Sequence, residues 1–272
     1  MDRKLLAAPY LVWVAGFIII PLLFILGKAL TTADGGFTLQ NIAAIASPIH
    51  RKALLLSLQL ALICTVICVL LAYPLALIVR SSKLNQQSIV MFILILPMWM
   101  NFILRILALQ MLLSNNGILN MILSRFGIAP LGIINTPAAI VFGMVYDFLP
   151  YMILPVMNSI LSIDNNLIAA ARDLGANGFH VFWKVIFPLS LPGVASGITM
   201  VFVPAMTAFV ISDILGGGKI QLLGNVIEQE FSVSMDWNLG SGLSVALMLF
   251  ILATSLLLGR GQNQSDRGRL LW

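Results

Sequence analysis

The chain has 272 residues, of which 60% are hydrophobic and 9% are charged, against about 25% charged residues in soluble domains. A soluble core of this size needs far less apolar surface, so the composition excludes a water-soluble enzyme and predicts a protein that lies in a lipid bilayer. The net charge of +5 does not indicate a nucleic-acid partner, because basic residues in a membrane protein first report its orientation.

Six segments are long and apolar enough to cross a bilayer, which takes about 20 residues in a helix. The first apolar run follows Lys4, reaches Leu30 and has no small-residue cleavage site, so we interpret it as a retained span and not as a signal peptide. The pattern predicts an all-α integral membrane protein with one transmembrane domain over residues 1–272. The predicted spans are residues 5–30, 53–79, 88–113, 137–160, 191–215 and 239–259.

The connections between the spans differ in basic residues, and this predicts the orientation. Cytoplasmic connections carry an excess of Lys and Arg. With a cytoplasmic N-terminus, most basic residues fall inside, so both termini are predicted to be cytoplasmic. The inside residues are Arg3, Lys4, Arg80, Lys83, Arg172, Lys184, Arg260, Arg267 and Arg269, and the outside residues are Arg51, Lys52, Arg125 and Lys219.

Two predicted outer connections have distinct patterns. In Ser114–Thr136, apolar residues recur at helical spacing from Ile118 to Phe126, which predicts a short helix along the membrane surface. The connection Gly216–Asn238 is predicted to form an acidic outer surface, with Glu228, Glu230 and Asp236.

The connection Ser162–Gly193, which we call the docking segment, contains signals for two short helices. Asp164 is suited to cap the first, because its carboxylate can accept hydrogen bonds from the next turn. Gly175 is suited to end it, since the residue just past a helix end is often left-handed. The second helix is predicted from about Asn177 to Phe187, ending at Pro188. Two short helices beside a membrane indicate a surface on which a partner docks.

No set of residues predicts covalent chemistry or a metal site in this chain. Gly216–Lys219 resembles part of a phosphate-binding loop, but Ser212 stands where G-x-x-x-x-G-K-[ST] needs its first glycine, and Ile220 follows the lysine. The two histidines, His50 and His180, fall on opposite sides in the predicted topology, so they cannot build a catalytic triad or a paired metal site. Any nucleotide must therefore be bound by another chain.

Charged residues inside the spans indicate either function or internal pairing, because an isolated charge is costly in hydrocarbon. Asp147 falls in the fourth span, Asp213 near the outer end of the fifth, and Arg105 in the third. Two interpretations stay open: a structural ion pair between Arg105 and one aspartate, or aspartates that line the path of a cationic substrate. Trp99 and Tyr146 offer aromatic faces to such a path, and a cation over such a face gains roughly 0.5–2 kcal/mol.

The docking segment also carries a family motif. Ala-Ala-Ala-Arg-Asp-Leu-Gly-Ala at Ala169–Ala176, with Val-Ile-Phe-Pro at Val185–Pro188, resembles the cytoplasmic loop of ABC-importer permeases. That motif reads Glu-Ala-Ala, three residues, Gly, nine residues, then Ile-x-Leu-Pro. Ala169 stands where the family usually has Glu, which removes one polar contact to the ATPase.

Across nearly the whole chain, the sequence is similar to the spermidine/putrescine permease subunits of that family. Asp213 stands at a position that is also acidic in those permeases, and we rank it before Asp147 as a substrate contact. The matching pieces are L-A-Y-P-L-A at Leu71–Ala76, L-P-M-W-M-N-F-I-L-R at Leu96–Arg105, S-D-I-L-G-G-G-K at Ser212–Lys219 and G-N-V-I at Gly224–Ile227.

The resemblance implies a MetI-like fold, location in a bacterial plasma membrane and polyamine import by ATP-driven alternating access. Its implied partners are a second permease, two ATPase subunits that bind ATP and Mg, and an extracytoplasmic substrate-binding protein, with no cofactor in this chain. The alternatives are an importer of sulfate, iron or a phosphonate, a secondary transporter that runs without ATP, and a membrane scaffold. The residues implied to dock the ATPase are Ala169, Ala170, Ala171, Arg172, Asp173 and Gly175.

Overall fold

The structure of the protein, a computed structural model, describes residues 10, 12–32, 34–82 and 84–269, with side chains except those of 84–88 and 257–269. The described residues are helices and connections, and their only β-type pairing is an isolated bridge between Thr31 and Phe37. The all-α prediction is confirmed. The helices are α1 (Val12–Ala29), α2 (Gln40–Ala43), α3 (Pro48–Ser81), α4 (Leu84–Ile95), α5 (Phe102–Leu113), α6 (Ile118–Arg125), α7 (Pro137–Leu161), α8 (Asn165–Asp173), α9 (Gly178–Val181), α10 (Phe187–Met206), α11 (Phe209–Gly216), α12 (Leu223–Ser232) and α13 (Trp237–Arg269).

Six helical segments of the described chain are long and apolar enough to cross a membrane, which confirms the predicted number of spans. The second and fourth follow the prediction closely, as α3 and α7. Residues 5–9 and 11 of the first predicted span lie outside the described residues. The six segments are Val12–Ala29, Pro48–Ser81, Phe102–Arg125, Pro137–Leu161, Gly178–Met206 and Trp237–Leu256.

The third predicted span, residues 88–113, is not one helix, and the prediction was wrong in this respect. Helix α4 ends at Ile95, a single 3₁₀ turn covers Leu96–Trp99, and α5 begins only at Phe102. Pro97 interrupts the α-helical bonding because it has no N–H. Asn101 then caps α5, since its side-chain oxygen accepts from the N–H groups of the second and third residues of that helix at 3.0 and 3.2 Å.

The fifth predicted span, residues 191–215, is also interrupted. Helix α10 ends at Met206 and α11 begins at Phe209. The N–H of Phe209 donates to the carbonyl of Thr207 at 2.8 Å, so it is not available for a regular helical bond to Ala205. Helix α11 is therefore a separate short element.

Two compact units are formed by the chain. One comprises the described residues of Met1–Leu55 with Leu223–Ala253, and the other comprises Leu56–Leu222 with the described residues of Thr254–Trp272. The second unit contains α4 to α11 and the docking segment. The single transmembrane domain over residues 1–272 stays a prediction.

Helices α7 and α10 approach each other closely within the second unit. A Cβ atom on Gly193 would lie 2.5 Å from the carbonyl oxygen of Pro155, and one on Gly197 would lie 3.3 Å from the carbonyl oxygen of Met152. Two small residues four apart allow this contact, as they do between many membrane helices. The docking segment is thus carried by a tightly packed helix pair.

Candidate docking segment and substrate path

The docking segment begins with a capped helix. Asp164 adopts an extended backbone, and its Oδ1 accepts a hydrogen bond from the N–H of Asn166 at 2.9 Å. This bond satisfies a donor that has no partner inside the helix. Helix α8 therefore starts where the sequence predicted.

The same helix ends in a left-handed glycine turn. Gly175 has φ +83°, a conformation that is strained for residues with a β-carbon. Its N–H donates to the carbonyl of Arg172 at 2.9 Å, and the N–H of Ala176 donates to the carbonyl of Ala171 at 3.0 Å. These two bonds form a Schellman motif and satisfy the last carbonyls of α8. The predicted role of Gly175 as the helix end is confirmed.

The second helix of the docking segment does not end at Pro188, contrary to the prediction. Asn177 caps α9, accepting from the N–H of His180 at 2.9 Å. The chain then continues through one π-helical turn, Phe182–Ile186, directly into α10. Pro188 lies in the first turn of the new α-helical stretch, where its missing N–H is tolerated. The second half of the docking segment is thus continuous with a membrane-crossing helix.

Most residues predicted to dock the ATPase are exposed. Large apolar side chains of the same segment are exposed as well, with Leu174 at 89% and Phe179 at 69%. Exposed apolar residues surrounded by polar ones are typical of protein interaction sites. Of the predicted residues, Ala171 is half-buried and the others, Ala169, Ala170, Arg172, Asp173 and Gly175, are exposed.

A cavity lies on each side of α8. The first, of about 400 Å³, is lined by Ala169 and Arg172 of α8 and by Arg80 of α3. The second, of about 420 Å³, is lined by Ala171 and Gly175. Ala169 and Ala171 therefore line different cavities, and the cavity of Ala169 is also lined by two arginines.

Arg80 makes contacts that sequence reasoning missed, because it used this residue only as an orientation signal. The guanidinium donates to the carbonyl of Ile160, to the carbonyl of Ile163 at 2.8 Å and to Oδ1 of Asn165 at 2.9 Å. The partners lie between 80 and 85 residues away in the sequence, so no local pattern could reveal them. Arg80 joins the end of α3 to the end of α7 and the start of α8.

Tyr73 joins the same helix α3 to the other side of the docking segment. Its hydroxyl lies 2.6 Å from Oγ of Ser190 on α10. Its ring packs edge-on against Phe182, with ring centroids 5.9 Å apart. Helix α3 therefore contacts both ends of the docking segment.

The buried charges of the second unit form an ion pair between Arg105 and Asp147. Asp147 is only 4% exposed, and the Arg105 guanidinium also donates to the carbonyl of Pro97 at 2.9 Å. Of the two interpretations left open above, the ion pair is present, with Asp147 as the partner. A role for Asp147 in the substrate path stays a prediction.

Of the four predicted path residues, Asp147 belongs to this pair and Tyr146 lies beside it. The Arg105 guanidinium lies 6.0 Å from the ring centroid of Tyr146. Trp99 belongs to the same 3₁₀ turn as Pro97, and its side chain is 78% exposed.

Asp213, the fourth, is exposed on α11. That short helix is held by α5, since Nε2 of Gln110 donates to the carbonyl of Ile214 at 2.7 Å. The structure thus separates the two aspartates into one buried beside an arginine and one at the surface. Among the described residues, no group of three or more His, Cys, Asp or Glu side chains is placed to hold a metal ion.

The sequence matches known proteins over most of its length. Residues 69–269 match the family model described as binding-protein-dependent transport system inner membrane component. The chain is 38% identical over 257 residues to the spermidine/putrescine transport system permease protein PotB of Haemophilus influenzae, covering 92% of this chain and 90% of that protein. It is also 38% identical over 245 residues to PotB of Escherichia coli K12, covering 87% of this chain and 89% of that protein.

The fold is also similar to solved structures. A bacterial ABC transporter involved in the import of the acidic polysaccharide alginate has a chain that aligns with a TM-score of 0.76 at 14% identity, covering 96% of this chain and 94% of that chain. A second structure, of a bacterial alginate ABC transporter in complex with an alginate pentasaccharide-bound periplasmic protein, gives 0.78 at 15% identity, with 94% and 92% covered. At these identities the likeness concerns the fold alone.

Proposed function

Because this chain belongs to the family of binding-protein-dependent transport system inner membrane components, we propose that it is the permease subunit of an ATP-driven importer of spermidine or putrescine. The chain itself is a transport subunit. Its proposed partners are a second permease, two ATPase subunits that bind ATP and Mg, and an extracytoplasmic substrate-binding protein.

The exposed docking segment is the observation that carries this proposal. Its apolar residues Leu174 and Phe179 are exposed beside the charged residues Arg172 and Asp173. This mixed surface suits a protein partner better than lipid, because lipid tails leave charged side chains unsolvated. The position of the segment between α7 and α10 connects that partner directly to two membrane-crossing helices.

Alternating access is the proposed mechanism. ATP binding closes the ATPase pair and moves the docked helix α8. Since α9 continues into α10 and α8 follows α7 after a short linker, the movement is transmitted to the membrane-crossing helices. The path then opens outward to accept cargo, and ATP hydrolysis resets it.

This mechanism requires the docking segment to face the cytoplasm, which the distribution of basic residues supports. Thiol labelling tests it after replacement of Cys64 and Cys68, the two cysteines of the sequence. A cysteine at Asn177 should react only with reagent added from the cytoplasm, and one at Ser232 only with reagent added from outside. The reverse labelling would contradict the proposed orientation and the docking role with it.

The proposed cargo is a polyamine, whose ammonium groups are separated by apolar methylene chains. Such a cargo suits a path with few acidic groups between apolar and aromatic walls. Asp213 is exposed on α11, and the similarity to the two PotB proteins covers it. We propose that the Asp213 carboxylate contacts an ammonium group during transport.

Uptake by the reconstituted complex tests the cargo and the residue together. Labelled spermidine and putrescine are supplied with the binding protein, and uptake is normalised to assembled complex. We expect Asp213→Asn to lower uptake about tenfold, since a hydrogen bond to a charged group contributes about 1.5–3 kcal/mol, while the amount of bound ATPase stays unchanged. Glu228→Gln is the matched control in another helix, and we expect it to lower uptake less than twofold.

Two results would contradict the proposal. Wild-type complex that moves neither polyamine would refute the cargo. Unchanged uptake per complex in Asp213→Asn would remove this carboxylate from the path.

A further inference from the structure

Helix α3 is not adjacent in sequence to the docking segment, yet it reaches both ends of it. Tyr73 and Arg80 are seven residues apart on α3, which is close to two helical turns, so both project from one face. Tyr73 contacts Ser190 of α10, and Arg80 contacts the linker before α8. Helix α3 is therefore a third membrane-crossing helix in contact with the segment that would receive the movement of the ATPase.

The guanidinium of Arg80 donates hydrogen bonds to two different elements, α7 and the start of the docking segment. One terminal nitrogen donates to the carbonyl of Ile160 in the last turn of α7. The other donates to the carbonyl of Ile163 at 2.8 Å and to Oδ1 of Asn165, the first residue of α8, at 2.9 Å. The planar guanidinium holds its donors in a fixed fork, whereas a lysine ammonium would offer donors from a single point.

Arg80 also borders an open cavity. Two of its acceptors are main-chain carbonyls at the end of α7 and in the linker after it, and the carbonyl of Ile160 accepts from the N–H of Ile163 as well, at 3.4 Å. Arg80 is half-buried and lines the cavity of about 400 Å³ beside Ala169 and Arg172. The side chain thus reaches from α3 to the start of α8 at the edge of this cavity.

We propose that Arg80 is a positioning residue that ties α3 to the docking segment, so that α3 moves with α8 when ATP binds. This inference rests on the proposed docking role of the segment. It adds that the movement reaches the membrane through three helices, namely α7, α10 and α3, and that the connection between α8 and α3 depends on one guanidinium.

The first measurement needs no knowledge of the cargo. A cysteine at Ile78, which is exposed on α3, is introduced after replacement of Cys64 and Cys68, and its labelling rate is measured in the assembled complex with and without ATP. We expect ATP to change the rate when Arg80 is present and to leave it unchanged in Arg80→Ala. An ATP-dependent change that persists in Arg80→Ala would overturn the proposal.

The second measurement is the ratio of uptake to ATP hydrolysis in proteoliposomes. In Arg80→Ala we expect this ratio to fall about tenfold, as the loss of hydrogen bonds from a charged group allows, with the amount of assembled complex unchanged. The ratio in Arg80→Lys should lie between those of the wild type and of Arg80→Ala. Arg125→Ala is the matched control, because Arg125 is an exposed arginine in the last turn of α6, and it should keep the wild-type ratio.

A chemical cross-link distinguishes a mechanical connection between α3 and α8 from a role of Arg80 in folding alone. In the variant with Arg80→Cys and Asn165→Cys, a short bifunctional thiol reagent should restore the ratio, whereas either single cysteine variant treated in the same way should not recover. Any of three results would overturn the proposal. The Arg80→Ala complex could keep the wild-type ratio, it could assemble in smaller amounts while each complex keeps that ratio, or complete bridging could fail to restore the ratio. Wild-type complex without polyamine uptake would instead contradict the proposed cargo, and the labelling at Ile78 would still decide the role of Arg80.

Discussion

Two arginines of the second unit both donate to main-chain carbonyls where a helix ends or breaks, but their surroundings differ. Arg105 is buried, pairs with Asp147 and contacts Pro97 at the break before α5. Arg80 is half-buried, lies at the end of α3 and contacts the start of the docking segment beside an open cavity. The Arg105 side chain is thus enclosed beside its counter-ion, whereas the Arg80 side chain borders an open cavity. We therefore expect changes at the first site to act mainly on folding and changes at the second mainly on coupling.

Breaking the buried pair should have the largest effect. Asp147→Asn leaves the Arg105 charge without its counter-ion in a buried site, and removal of one partner from such a pair costs about 3–5 kcal/mol. We expect a large loss of folded protein and a lower unfolding temperature in detergent.

The double variant Arg105→Met with Asp147→Leu is the control for the buried pair. It removes both charges and should recover part of the stability, because apolar residues of similar size often replace a buried pair without loss. An Asp147→Asn protein as stable as the wild type would contradict the structural role of the pair. Uptake per folded complex in the surviving Asp147→Asn protein tests the predicted role in the substrate path.

A change in the glycine turn of the docking segment should have an intermediate effect. Gly175→Val places a β-branched side chain at φ +83°, and a left-handed conformation costs roughly 1–2 kcal/mol for a residue with a β-carbon. We expect the protein to fold but to lose most of its uptake for each ATP hydrolysed, because the Schellman turn that orients α8 is disturbed.

Gly178→Val is the matched control for that turn. A β-carbon on Gly178 would meet no neighbouring atom within 4 Å, and the backbone there is not left-handed, so the same substitution should reduce the ratio less. Equal ratios in the two variants would show that the left-handed turn is not needed for coupling. The measurement is uptake and ATP hydrolysis in one proteoliposome preparation.

The smallest effect is expected at the position that departs from the family motif. Ala169 is exposed and lines the cavity with Arg80 and Arg172, so the carboxylate of Ala169→Glu would find two guanidinium groups near it. Exposed ion pairs contribute about 0.2–1 kcal/mol. We expect unchanged folding and equal or slightly tighter binding of the ATPase, measured by titration of the ATPase onto the immobilised permease. Loss of ATPase binding would show that the partner surface is fitted to alanine.

The features that sequence analysis predicted correctly depend on local signals. Six apolar segments, the cap at Asp164 and the glycine turn at Gly175 follow from residues close together in the chain. Pro188 was misread as a helix end, because a proline also fits the first turn of a helix and the π-helical turn before it is not visible in the sequence. The break after Pro97 was missed because apolar residues continue on both sides of it.

The contacts that organise the candidate sites are long-range, and no single-sequence pattern reports them. The pair of Arg105 with Asp147 was one of two open interpretations, since charge in a span predicts a partner without naming it. Arg80 was read only for its charge. Asn120 lies in the predicted surface helix α6, yet it is buried, and its side-chain oxygen accepts from the N–H of Leu131 at 2.7 Å.

The π-helical turn at Phe182–Ile186 has a consequence for the direction in which the docking surface faces. A π-helical turn holds one residue more than an α-helical turn, and each residue of an α-helix rotates the chain by about 100°. Converting Phe182–Ile186 to regular α-helix at unchanged length would turn everything before it by about that angle relative to α10. Deleting one residue there would instead restore an α-helical turn and keep the direction. The direction in which α8 and α9 face is therefore set by the extra residue being held in a π-helical turn. Loss of that turn would rotate the docking surface without unfolding either flanking helix.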